Sequence, residues 1–152
     1  MSKALLRVNL TPVPSRGKLL ITLALAVFAA CYWYKYHRLV RAHVEVLTAM
    51  TGKMEDLLES RGRFRPEHLT EFRYPHDRAR DFARIVHDRF HESESFRRFE
   101  ELLPAYERLL AVADTLDAPA LPRDSSMAAV ARHADEVRSA ARKVLDALAA
   151  EE

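Results

Sequence analysis

Between Lys18 and Lys35 the chain carries no charge, and Leu19–Tyr34 reads LLITLALAVFAACYWY. A stretch this apolar must lie in lipid or in a protein interior, so it limits every arrangement of the residues that follow. As a helix rising about 1.5 Å per residue it covers roughly 24 Å, against a hydrocarbon core of about 30 Å. Gly17 and Tyr36 add length, and Lys18 and Lys35 can carry their ammonium groups to the headgroups. Leu19, Leu20, Leu23, Leu25, Val27 and Phe28 supply the apolar body. Tyr32, Trp33 and Tyr34, with Tyr36, gather at one end, where amphipathic rings suit the headgroup level. A buried core helix fits poorly with a YWYKY terminus flanked by bases. The expectation is a basic leader over residues 1–17, a transmembrane anchor over 18–36 and a further domain over 37–152.

A cleaved signal is the alternative. Val27-Phe28-Ala29-Ala30-Cys31 loosely resembles a lipobox, which would make Cys31 the lipidated first residue of a mature lipoprotein. Phe28 in place of Leu, the long leader and a Tyr-Trp-Tyr directly after the cysteine argue against it. Thr22, Ala26 and Ala30 share one helix face at four-residue spacing, which allows close helix packing within a bilayer. Lys3, Arg7, Arg16 and Lys18 precede the run, while Lys35, Arg38, Arg41 and Lys53 follow it. The positive-inside rule therefore leans only slightly toward an internal N-terminus and an extracytoplasmic domain.

Charge divides along the chain. Residues 1–53 hold 8 Lys and Arg against one acid, a net +7, whereas residues 54–152 hold 16 against 21, a net −5. The basic part has anionic headgroups as its natural counter-charge. The mild acidity of the rest argues against nucleic acid, which wants a basic face. The single cysteine excludes an intramolecular disulfide, and three glycines leave no glycine-rich phosphate loop.

Beyond the anchor, periodicity predicts an all-α chain. The first helix continues out of the anchor through Val40, Val44, Leu47, Thr51, Met54 and Leu58, weakened at Gly52 and ended by Ser60-Arg61-Gly62. The second starts near Pro66 and breaks at Pro75, leaving His76–Glu92 as its main part, with Phe82, Ile85, Val86 and Phe90 apolar beside Ala79 and Ala83. The third runs from about Ser95 to Leu116 on Phe96, Phe99, Leu103, Tyr106, Leu110 and Ala113, with a kink at Pro104. After a loop from Asp117 to Asp124, the fourth is capped by Asp124 or Ser125 and lined by Met127, Val130, Ala134, Val137, Ala141, Val144 and Leu148. Each stripe needs the others for burial. Short connections favour an up-down antiparallel bundle of about four helices, with coiled-coil-like packing.

Two patches resemble the LemA family of bacterial membrane proteins. Tyr36-His37-Arg38-Leu39-Val40, with Val46 and Ala49, is similar to that family's Y-N-x-L-V-x-x-R-x-x-V-x-x-A. Ser95-Phe96, Phe99, Glu101, Leu103, Glu107, Leu110 and Ala111 resemble its N-F-x-x-L-x-x-E-L-x-x-x-E-x-x-I-A. The family's R-R-x-D-L-I-P stretch and R-x-x-Y-N motif have no counterpart, and His37 and His43 stand where the family has Asn and Arg. The resemblance implies a short anchor, a long-helix antiparallel bundle and a place in the bacterial cytoplasmic membrane. It brings no catalytic residues.

Few residues point to chemistry. His87 and His91, at i and i+4, share a helix face and can ligate zinc, but no third ligand is obvious beyond a guess at His133 or Glu92, and a solvated charged flank is the plainer reading. Asp77, Asp81, Arg84 and Asp88 suit helix-surface ion pairs. Arg61, Arg63, Phe64 and Arg65 form a basic, aromatic loop placed to dock an acidic partner or an anionic headgroup. The expectation is a non-enzymatic accessory subunit, scaffold or interaction module without a cofactor. Its partners are membrane lipid, other membrane or envelope proteins and a further copy of the chain, not nucleic acid. The alternatives are a metal-binding module or enzyme using His87 and His91, and a lipoprotein lipidated at Cys31.

Overall fold

Apolar residues spaced three and four apart form a stripe only on a helix, and helix is what the chain forms. The computed structural model describes residues 16–61, 64–116 and 123–152. Among them the regular elements are α1 (Arg16–Arg61), α2 (Pro66–Phe90), α3 (Glu94–Thr115) and α4 (Arg123–Glu151), with no strand. The chain divides into two units, Met1–Tyr36 and His37–Glu152.

The described part of the first unit is the N-terminal stretch of α1. Its apolar side chains from Leu19 to Phe28 are exposed, Phe28 by 71% and Leu20 by 64%. No part of its most apolar window is buried, and α1 is long and apolar enough to cross a membrane. The Thr22 hydroxyl within this stretch is satisfied locally, because its Oγ1 donates to the Lys18 carbonyl at 2.9 Å.

In the second unit the stripes close into one core. The six α1 positions from Val40 to Leu58 are buried, as are all six on α3 and all on α4 except the half-buried Met127. Gly52 sits inside the unbroken α1. The Ser93 hydroxyl caps α3 by accepting from the Phe96 N–H at 3.2 Å. Side chains tie the helices pairwise. Arg41 meets Glu152 at 2.9 Å, Arg138 meets Glu55, Lys53 meets Glu71 and Arg73 meets Asp114.

Three sequence expectations are corrected here. Pro75 does not break α2, which runs from Pro66 to Phe90 with Pro75 buried inside it. Proline removes one helical donor and disturbs the turn before it. The carbonyl left without its donor is that of Glu71; one residue on, the Phe72 carbonyl accepts from the buried Tyr106 hydroxyl of α3 at 3.1 Å. Ile85 is 76% exposed rather than in the core, since Ala79, Phe82, Ala83, Val86 and Phe90 already complete the inward arc. The fourth helix starts at Arg123, so Asp124 and Ser125 fall inside it and not at the position before it. The third helix passes unbroken through Pro104.

Candidate functional site

A serine, a histidine and a carboxylate come together at one end of the second unit. Ser95 is fully buried in the first turn of α3, where backbone N–H groups lack helical acceptors. Glu151, at the end of α4, fills that need. Its carboxylate accepts from the Ser95 N–H at 2.9 Å and from the Ser95 Oγ at 2.6 Å. His37 of α1, also buried, brings Nε2 to 3.5 Å from the same carboxylate. The Ser95 hydroxyl donates to the Glu151 carboxylate, which ties α3 to α4 with His37 of α1 beside it. The cluster is a three-helix clasp.

His87 and His91 do share a face. Their ring centroids are 5.6 Å apart with planes 28° from parallel, and both side chains are exposed. His87 Nδ1 lies 3.1 Å from Glu100 Oε1 and His91 Nδ1 lies 3.2 Å from the His87 carbonyl. Glu92 approaches His91 Nε2 only to 3.9 Å, whereas His133 lies on α4 and pairs with Glu136 at 3.2 Å. That hydrogen bond, ahead of the one from Arg108, holds the Glu136 carboxyl below its ordinary value. Among the described residues, no group of three or more His, Cys, Asp or Glu side chains is placed to hold a metal ion.

The His87–Glu100 pair belongs to a longer pattern that was not read from the sequence. Arg73, Arg80 and His87 recur every seven residues on α2, and Glu100, Glu107 and Asp114 recur every seven on α3. The outer rungs close as Arg73–Asp114 and His87–Glu100. Arg80 and Glu107 line the groove between them, where Arg80 lies 3.7 Å from Asp77 instead. The matched heptads on both segments are the signal that could have revealed this ladder. Exposed pairs of this kind each contribute about 0–1 kcal/mol, so the ladder sets register more than stability. Of the acidic surface positions, Asp81 pairs with Arg84 at 3.3 Å, and Asp88 takes no part in an ion pair among the described residues.

The remaining candidate residues separate. Leu19, Leu20, Leu23, Leu25, Val27, Phe28, Trp33 and Tyr34 are exposed and Tyr32 is half-buried. Thr22, Ala26 and Ala30 are exposed along the same helix. In the basic loop Arg63 lies outside the described residues, and Arg61 is the last residue of α1. Phe64 is buried, edge-on to Phe72 with ring centroids 5.9 Å apart. It anchors the start of α2 and is not available to a partner. Arg65 is exposed, and its backbone N–H donates to His68 Nδ1 at 3.3 Å.

Compared with family models, with curated proteins and with solved structures, the chain finds no match.

Proposed function

We propose that this chain is a single-pass membrane protein whose N-terminal helix anchors an up-down antiparallel four-helix bundle. In this reading the bundle serves as an accessory subunit, scaffold or interaction module and performs no reaction of its own. The observation that carries it is the apolar first part of α1, none of whose most hydrophobic window is buried. A helix with Phe28 and Leu20 largely bare to solvent would be driven to lipid, at about 25 cal/mol per Å² of apolar surface removed from water.

The antiparallel arrangement is supported by the order of contacts. On α1 and α4, Arg41 meets Glu152 and Glu55 meets Arg138. On α2 and α3, Arg73 meets Asp114 and His87 meets Glu100. In each couple, moving forward along one helix moves backward along the other.

The resemblance to the LemA family favours the bacterial cytoplasmic membrane, and the slight charge bias favours an extracytoplasmic bundle. Arg61, Arg63 and Arg65 are the residues of the basic loop through which a partner would dock. Intact mass of the protein extracted from membranes tests the anchor. The unprocessed chain is the expected species, and a chain beginning at an acylated Cys31 would establish the lipoprotein instead. Replacing the three arginines by serine should abolish partner capture with an unchanged helical CD spectrum, and undiminished capture would remove that docking role.

A further inference from the structure

One face of the second unit is apolar where it should be polar. On α1, Leu39, Ala42, Val46 and Ala49 are spaced three, four and three residues apart and all are exposed, Leu39 by 39% and Val46 by 44%. The inward stripe of α1 is separate and complete, so these four residues are not needed for the core. They repeat the spacing of a coiled-coil seam.

The edge of this face is defined by α2. Lys53 meets Glu71, and the His43 ring lies 5.0 Å from that of Phe82. Arg78 lies between Glu71 and Phe82 in sequence, so it stands beside the stretch of α1 between Lys53 and His43, where Val46 is. Ile85 lies one turn beyond Phe82 and continues the series toward Leu39, which is one turn before His43. Its side chain, 76% exposed, widens the apolar strip.

Two charges of opposite sign flank the strip. Glu45 borders it on the side away from α2, and Arg78 borders it on the α2 side; both are exposed. Neither forms an ion pair among the described residues, and Arg78 lies 5.9 Å over the Tyr74 ring. They are at nearly the same height along α1, on opposite sides of one apolar seam, and opposite in sign. A twofold axis along such a seam brings each glutamate to the arginine of the other copy, which is the self-complementarity that an isologous interface requires.

We propose that this face binds a second copy of the chain, with Leu39, Ala42, Val46, Ala49 and Ile85 meeting their equivalents across a twofold axis and Glu45 of each copy pairing with Arg78 of the other. The inference rests on the membrane reading for its orientation. Identical chains inserted the same way in one bilayer run parallel and present this face at one height, and confinement to the bilayer raises their effective concentration. A strip this narrow gains from that confinement.

The test uses the full chain in isolated membranes, with Cys31→Ser as background. Under mild oxidation Val46→Cys should give a disulfide-linked dimer, and Ala111→Cys, exposed on α3, should not. Adding Glu45→Arg to the Val46→Cys chain should cut the dimer at least about tenfold, because like charges then face each other. Adding Arg78→Glu as well should restore it. A Val46→Cys chain that floats with the membranes but stays monomeric, links to a protein of another mass, or links no better than Ala111→Cys would overturn the proposal while leaving the anchor intact. A chain that does not float would remove the anchor, and the same cross-link read in the soluble fraction would still decide the face.

Discussion

Glu151 closes the first turn of α3: its carboxylate takes both the Ser95 N–H, at 2.9 Å, and the Ser95 hydroxyl, at 2.6 Å, across 56 positions of sequence. An anion at a helix N-terminus is favourable in itself. Here it also satisfies a fully buried serine and lies 3.5 Å from His37, so three helices depend on one side chain.

Glu151→Ala should therefore cost about 1.5–3 kcal/mol, the range for a hydrogen bond to a charged group whose partner stays buried. Chemical denaturation of the detergent-solubilised protein measures this. Glu152→Ala, which removes an exposed pair with Arg41, should change stability by less than about 1 kcal/mol. Equal effects of the two substitutions would contradict the clasp.

Gly52 offers the opposite outcome. It lies inside α1, and a Cβ added there meets nothing within 4 Å. Gly52→Ala should stabilise the protein by about 0.5–1 kcal/mol through helix propensity alone, seen as a raised denaturation midpoint with an unchanged slope.

Tyr106 supplies the hydroxyl that meets the Phe72 carbonyl, and burial pushes its phenol well above the ordinary range. It therefore stays a neutral donor throughout the accessible pH range. Tyr106→Phe keeps the ring that stacks on His76 and should cost about 1 kcal/mol. Hydrogen exchange of the amides around Pro75 should quicken more than that of α4.

His43 makes stability depend on pH. Burial, and secondarily the positive charge of Arg78, hold its imidazole below the usual 6.5. The unfolded chain then binds a proton that the folded chain resists. This contribution is complete above about pH 6.5 and is lost as pH falls from there through the lower folded value. Denaturation midpoints should decline between pH 7 and pH 5, and His43→Phe should flatten that decline. A parallel decline in the variant would assign the effect to other groups.

Zinc distinguishes a surface histidine pair from a metal module. Titration of the purified chain should show at most weak binding at His87 and His91, since two imidazoles leave a structural site half-filled. Stoichiometric zinc that survives dialysis and disappears in His87→Ala would instead favour the metal reading.

Much of the fold was legible because burial follows spacing. The stripes of α1, α3 and α4 could be read residue by residue, since three-four alternation fixes which side chains share a face. Ile85 was misplaced because hydropathy alone does not say where an inward arc ends. The passage of α2 through Pro75 places that residue in the core beside a turn met by Tyr106, 34 positions away from Phe72, and no local rule contains such packing. The Ser95–Glu151 clasp is hidden for the same reason. Phe64 looked like part of an exposed loop because its neighbours are arginines, yet its ring finds Phe72. The charge ladder was in principle readable from its matched sevens, but only once α2 and α3 were known to be neighbours.

Alkaline carbonate extraction of native membranes tests the anchor most directly, because it strips peripheral proteins and leaves those held by a spanning helix. The full-length chain should stay in the pellet at its unprocessed mass, and a chain carrying Leu23→Glu and Val27→Glu should move to the supernatant. Release of the unaltered chain into the supernatant, unprocessed and without an acyl group, would contradict the account.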